Sequence, residues 1–141
     1  MTLTPEPSTA PLGAFLLRLS LGLMWLSHGL LLKLMTFGIA GLAAWLGSVG
    51  LPPALAWPLV IAETAGGLAI LLGWHGRWAS LALLPVLIGA TAIHAGNGWV
   101  FSNANGGWEF PLFWAIVQGA IALLGSGAYA LKPSASATVA A

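Results

Sequence analysis

Five side chains could move protons or fix charge in this otherwise apolar sequence: His28, Lys33, Glu63, His94 and Glu109. A carboxylate can accept a proton, and a histidine can supply or take one near neutral pH. A lysine can stabilise negative charge on a reduced oxygen. Glu63 is the least expected of the five, since the stretch PLVIAETAGGLAILLGW (58–74) offers it only apolar or small neighbours. Charged groups at membrane depth cost about 2.5–3.5 kcal/mol on insertion scales and usually face one another or a bundle interior.

Of the 141 residues, 59% are hydrophobic and 5% are charged, against about 25% charged in a soluble domain. So few charges cannot cover a water-facing surface, so an integral membrane protein of one small domain is expected, with the lipid bilayer as its first partner. The net charge of +1 leaves no footprint for nucleic acid. The absence of cysteine excludes disulfides, iron–sulfur ligation and thiolate metal sites supplied by this chain. Redox work would therefore need a bound small molecule or a partner protein. The first residues, MTLTPEPSTAP, lack the basic start of a secretory signal, so the first apolar stretch is expected to be retained as a span.

About 20 mostly apolar residues cross a bilayer core. Four segments meet that length, at 12–34, 54–74, 78–95 and 111–131, flanked by a flexible tail at 1–11 and a disordered one at 132–141. The expected fold is all-α, a four-transmembrane-helix antiparallel bundle. Pro52, Pro53 and Pro111 sit near helix starts, whereas Pro85 predicts a kink inside the third span. In FGIAGLAAWLGSVG (37–50), Leu42, Trp45, Leu46 and Val49 share one helical face. That segment is too short to cross and reads as an interfacial or re-entrant helix between spans 1 and 2. Arg18, Arg77 and Lys132 fall on one side of such a bundle and Lys33 on the other, which places both termini in the cytoplasm.

At about 1.5 Å per residue, this topology puts His28 roughly 8 Å and Glu63 roughly 12 Å below the outer surface. His94 and Glu109 fall at the outer ends of their spans, so all five groups share the outer half. Glu63, His28 and His94 are the candidates for proton exchange. Lys33 and Glu109, with Trp108 and Trp99, are the candidates for holding a ligand. Trp99, Phe101, Trp108 and Phe110 suit either an interfacial belt or a lid whose rings stack on a flat ligand. Gly66 and Gly67 beside Glu63 leave room for a neighbouring helix. Arg18 is expected to reach the cytoplasmic headgroups, and Gln118 to join helices. Two readings compete with a ligand site. A buried Glu–Lys or Glu–His pair can simply fix helix register. Two His and two Glu could also bind a metal, but the paired ExxH spacing of carboxylate-bridged bundles is absent and Lys33 disfavours a cation.

The chain resembles the DoxX family of small bacterial four-helix membrane proteins. The likeness runs over about 12–131. It rests on RLSLGLMWLSHGLLLKL (18–34), GLPPALAWPLVIAETAGGLAILLG (50–73) and HAGNGWVFSNANGGWEFPL (94–112). The resemblance implies a multi-pass protein of the bacterial inner membrane. Named members are linked to a thiosulfate:quinone oxidoreductase, whose membrane subunit meets the quinone pool, and others to complexes with soluble redox partners. It thus implies quinone as cofactor and a role as a quinone-interacting oxidoreductase subunit. The alternative is a non-enzymatic assembly factor, or a small permease using the same cluster as a proton relay or structural lock. Either way, the outer helix faces remain open to lipid, to another subunit or to a second copy in a homo-oligomer.

Overall fold

The computed structural model describes residues 8–133, which are helical throughout their regular structure and contain no strand. Helix α1 (Ala10–Leu26) runs without interruption into a π-helical segment, Ser27–Phe37. Gly38, at φ 70°, then turns the chain into the short helix α2 (Gly38–Ser48). A 3₁₀ turn at Pro53–Leu55 leads into α3 (Ala56–Leu72), followed by α4 (Gly76–His94), a 3₁₀ turn at Ala95–Asn97, and α5 (Glu109–Leu124). Ala10–Ser48, Pro53–Leu72 and Gly76–Asn97 are each long and apolar enough to cross a membrane. At 16 residues, α5 is shorter, about 24 Å.

Helix α3 is central: α1, the π segment, α2 and α4 all pack on it, while α5 packs chiefly on α4. Val60, Glu63, Gly67 and Ile70 form its buried face. The two glycines serve different neighbours. A Cβ on Gly67 would lie 2.6 Å from Trp25 Cβ in α1, and one on Gly66 would lie 2.6 Å from a Leu83 methyl in α4. Across from Glu63, Gly29 lets the π segment approach, since a Cβ there would meet Glu63 Cβ at 2.8 Å.

One apolar core joins α1, α3, α4 and α5 through Leu21, Trp25, Ile70, Leu83, Trp114 and Ile121. Gln118, fully buried, ties three helices: its Oε1 accepts from Trp25 Nε1 at 3.1 Å and its Nε2 donates to the Ser80 carbonyl at 3.2 Å. A second core holds α2 in place, with Leu42 and Leu46 against Ala56 and Val60. The expected short helix is therefore present, but its buried face is narrower than the spacing suggested, because Trp45 is exposed. Pro85 lies within α4, which continues through it.

The chain departs from expectation at two places. The apolar stretch at 125–131 does not extend the last helix. Gly125 and Gly127, at φ 83° and 68°, end α5 and turn the chain back across the bundle. There Ala128 N–H donates to the Pro11 carbonyl, and Leu131 and Lys132 N–H donate to Leu72 and Gly73. The second departure is Arg18, which is 1% exposed and does not reach outward. Its Nη1 donates to Leu71 O at 2.6 Å and Ile70 O at 3.4 Å, and its Nη2 to Ala128 O at 2.9 Å and Tyr129 O at 3.3 Å. The last carbonyls of α3 run out of regular i+4 partners, Ile70 O keeping only the closing Gly73 N–H, and those of the returning segment need donors as well. A planar fork with five N–H groups suits that place better than a headgroup does. The flanking tails lie largely outside the described residues, at 1–7 and 134–141, although Ala10 and Pro11 are already helical.

Candidate functional site

Glu63 is 1% exposed and its Oε2 accepts from Lys33 Nζ at 2.7 Å, while the lysine side chain keeps 19% exposure. The π segment positions that lysine. In an α-helix, residues five apart point about 140° away from each other. The wider π turn, bonded i to i+5, brings them onto one face. His28 and Lys33 are five apart and line the same cleft. Thr36 shows the same register, its Oγ1 donating to the Leu31 carbonyl at 2.8 Å. π turns are rare and cluster at functional sites.

The cleft has a volume of about 870 Å³. Lys33, Glu63, His28 and Trp25 line it on the α1–α3 side, Leu46 of α2 and Leu51 just after it on another, and Val86, His94 and Trp114 on the α4–α5 side. Its walls are mostly apolar, so the few polar groups would set the orientation of anything bound there. The His28 ring meets the Trp114 indole edge-on at 4.9 Å, and Trp114 in turn lies 4.6 Å from Trp25. Trp114 Nε1 is buried without a hydrogen-bond partner among the described residues.

His94 enters the cleft from the end of α4, held by the loop that follows. Its Nδ1 lies 3.0 Å from Asn105 O and 3.2 Å from Gly106 O. Asn97 Nδ2 donates to the same carbonyls at 3.1 and 2.9 Å. Asn105 and Gly106 both have positive φ, 64° and 77°, a turn that Asn and Gly tolerate best. Gly107 is buried where a Cβ would run into the Val100 and Trp99 carbonyls, so the loop closes only with glycine there.

Of the residues singled out by sequence, His28, Lys33, Glu63 and His94 thus line one cleft, and Lys33 and Glu63 bond directly. The other three stand apart. Glu109 Oε1 accepts from Phe101 N–H at 2.9 Å, and Glu109 and Trp99 border a second, smaller groove. Trp108 packs edge-on against Trp99 at 4.5 Å between ring centres and lines neither cavity. Trp25, Trp114 and Asn97 were not singled out. Trp25 stands three residues before His28, and Asn97 three after His94, a spacing that shares a helical face. Trp114 carries no comparable signal. Among the described residues, no three His, Asp or Glu side chains gather to hold a metal ion.

Comparison with known proteins adds two matches. Residues 13–96 match the DoxX family, a stretch that contains His28, Lys33, Glu63 and His94 and ends before the loop and α5. The chain is also 32% identical over 83 residues to a mitochondrial protoheme IX farnesyltransferase of Pyricularia oryzae, a match covering 57% of this chain and 13% of that protein. The chain thus spans about an eighth of that relative's length. No solved structure matches. With more than half of its length matched, including the four side chains that line the cleft, this multi-pass membrane protein belongs to the DoxX family.

Proposed function

We propose that this chain is the quinone-interacting subunit of a membrane oxidoreductase complex, and that the cleft receives the quinone head group. The observation that carries this reading is an ion pair, Lys33–Glu63, bordering an apolar and aromatic cleft of about 870 Å³ with two histidines on its walls. The pair is neutral overall, which favours an uncharged ligand, and Lys33 retains N–H donors for a ligand oxygen. Trp25 and Trp114, nearly buried and packed on each other, form an aromatic wall for a flat head group. In this reading four helices cross the bacterial inner membrane antiparallel to one another, α5 by local thinning of the bilayer. Both termini are cytoplasmic and the cleft lies in the outer half. Electrons come from a partner protein.

The test is binding of a short-tailed quinone analogue to purified protein in detergent, followed through quenching of tryptophan fluorescence. Saturable quenching that Trp114→Leu reduces supports the reading. No saturable binding, together with unchanged quinone reduction when co-expressed redox proteins are added, sinks it. The directness of the Lys33–Glu63 bond favours a second reading, in which the pair locks helix register in a non-enzymatic assembly factor or small permease. That version expects Lys33→Met to abolish assembly of a membrane complex while the assembled remainder keeps its chemistry.

A further inference from the structure

The two contacts around His94 Nδ1 fix more than the position of the ring. Carbonyl oxygens only accept, so the contacts at 3.0 and 3.2 Å require a proton on Nδ1. The opposite tautomer would turn the Nδ1 lone pair toward two oxygen lone pairs. Its one compensation would be a bond from Asn97 Nδ2, at 3.3 Å. That amide is already placed to give its two hydrogens to Asn105 O and Gly106 O, at 3.1 and 2.9 Å. Asn103 Nδ2 in turn donates to the Asn97 carbonyl at 3.0 Å, bracing the turn from behind. The neutral ring therefore carries its proton on Nδ1, and Nε2 is left as a lone pair. Among the described residues, Nε2 has no partner, and the residue lines the cleft.

The other candidates for meeting a ligand differ in kind. The Glu63 carboxylate is held through Oε2 by Lys33, and no backbone group fixes its other oxygen among the described residues. His28 lies against the Trp114 ring, with no hydrogen bond from the loop or elsewhere among the described residues to choose its tautomer. Lys33 and Trp114 can only donate. His94 Nε2 is thus the acceptor in this cleft whose direction and protonation are both set by backbone.

We propose that His94, held as the Nδ1–H tautomer by the Asn105 and Gly106 carbonyls with Asn97 as positioning residue, accepts a hydrogen bond at Nε2 from a ligand hydroxyl, so that the cleft favours the hydroxyl-bearing, quinol-like form of its ligand over the quinone form. This rests on the quinone reading above. The selectivity follows from hydrogen-bond inventory. A quinone carbonyl presents lone pairs to Nε2, whereas a phenolic O–H presents a donor. A site with a fixed acceptor penalises the analogue that lacks the donor. For one bond at a cleft open on one side, the preference is roughly tenfold.

The full chain in detergent, labelled with ¹⁵N-histidine, tests the tautomer first. The His94 signals, assigned by their loss in His94→Phe, are expected to show a protonated Nδ1 and a bare Nε2 in the neutral ring. A bare Nδ1 overturns the proposal regardless of any ligand. Binding then compares a quinone and the corresponding quinol of one short-tailed analogue under argon, read by tryptophan quenching. Wild type is expected to hold the quinol roughly tenfold tighter, with a shift of the Nε2 signal, and His94→Phe to bind both equally. Asn97→Ala is expected to mix the tautomers and lose most of the preference. Its thermal unfolding, compared with wild type, identifies a variant whose loop has collapsed. Asn105→Gly keeps both carbonyls and the positive φ, so it is expected to keep tautomer and preference alike. Equal binding of both forms by wild type overturns the inference and leaves the quinone reading standing. Failure of wild type to bind either form overturns both.

Discussion

Lys33 and Glu63 share one bond but not one environment, and removing each partner should expose the difference. Lys33→Met leaves a carboxylate at 1% exposure without the one donor it has among the described residues. Breaking a buried pair in this way costs 3–5 kcal/mol, and the cleft beside the pair lets some water relieve it, so about 3 kcal/mol is expected. Glu63→Gln leaves an ammonium at 19% exposure, facing the cleft, with an amide oxygen still available as acceptor. About 1 kcal/mol is expected there. The double variant removes both charges and should return to within about 1 kcal/mol of wild type, giving a coupling of about 3 kcal/mol. The assay is unfolding in mixed micelles titrated with dodecyl sulfate, followed by far-ultraviolet circular dichroism on all four proteins. The reasoning fails if Glu63→Gln costs more than Lys33→Met. It fails equally if the two effects simply add in the double variant.

Three further outcomes follow from separate contacts. Arg18→Met should cost about 3–5 kcal/mol, since four carbonyls lose a charged donor, and should open the 125–132 segment to limited proteolysis. Arg18→Lys should keep part of that stability, because an ammonium cannot span both sets of carbonyls. Gln118→Leu should cost about 1–3 kcal/mol by stranding Trp25 Nε1–H, the Ser80 carbonyl losing only a second donor, and should shift the Trp25 indole signal in a ¹⁵N correlation spectrum. Gly29→Ala places a methyl 2.8 Å from Glu63 Cβ and 3.0 Å from the Thr64 backbone nitrogen. It should cost about 1–3 kcal/mol and weaken the coupling measured between Lys33 and Glu63.

The helices were legible because apolar runs bounded by proline and glycine have few other solutions in a membrane. Depth counting could also bring His28, Lys33, Glu63 and His94 together, since each lies on an element whose length and direction the sequence implies. What escaped it depends on backbone. The π register at Ser27–Phe37 has no compositional signature, yet it puts His28 and Lys33 on one wall. Arg18 was misjudged because its acceptors are carbonyl oxygens 52 to 111 residues away, and carbonyls are the same in every sequence. Glu109 sits at the expected end of its helix, but the loop offers it the Phe101 amide and so turns it from the cleft. Gly125 and Gly127 did signal a helix end, and the apolar residues around them masked it.

The Arg18 guanidinium has consequences for the order in which this chain can be completed. Two of its acceptors, Ile70 and Leu71, belong to α3, and the other two, Ala128 and Tyr129, come 110 and 111 residues after it. During synthesis, an arginine in the first helix waits with half its hydrogen bonds unmade until almost the last described residues have emerged. A fragment that stops after α5 holds every residue lining the cleft and still leaves half of that cation's hydrogen bonds unmade. The cleft and the signal of completeness are therefore physically separate. A chain cut short after α5 is marked by a half-satisfied charge at the place the missing segment would cover.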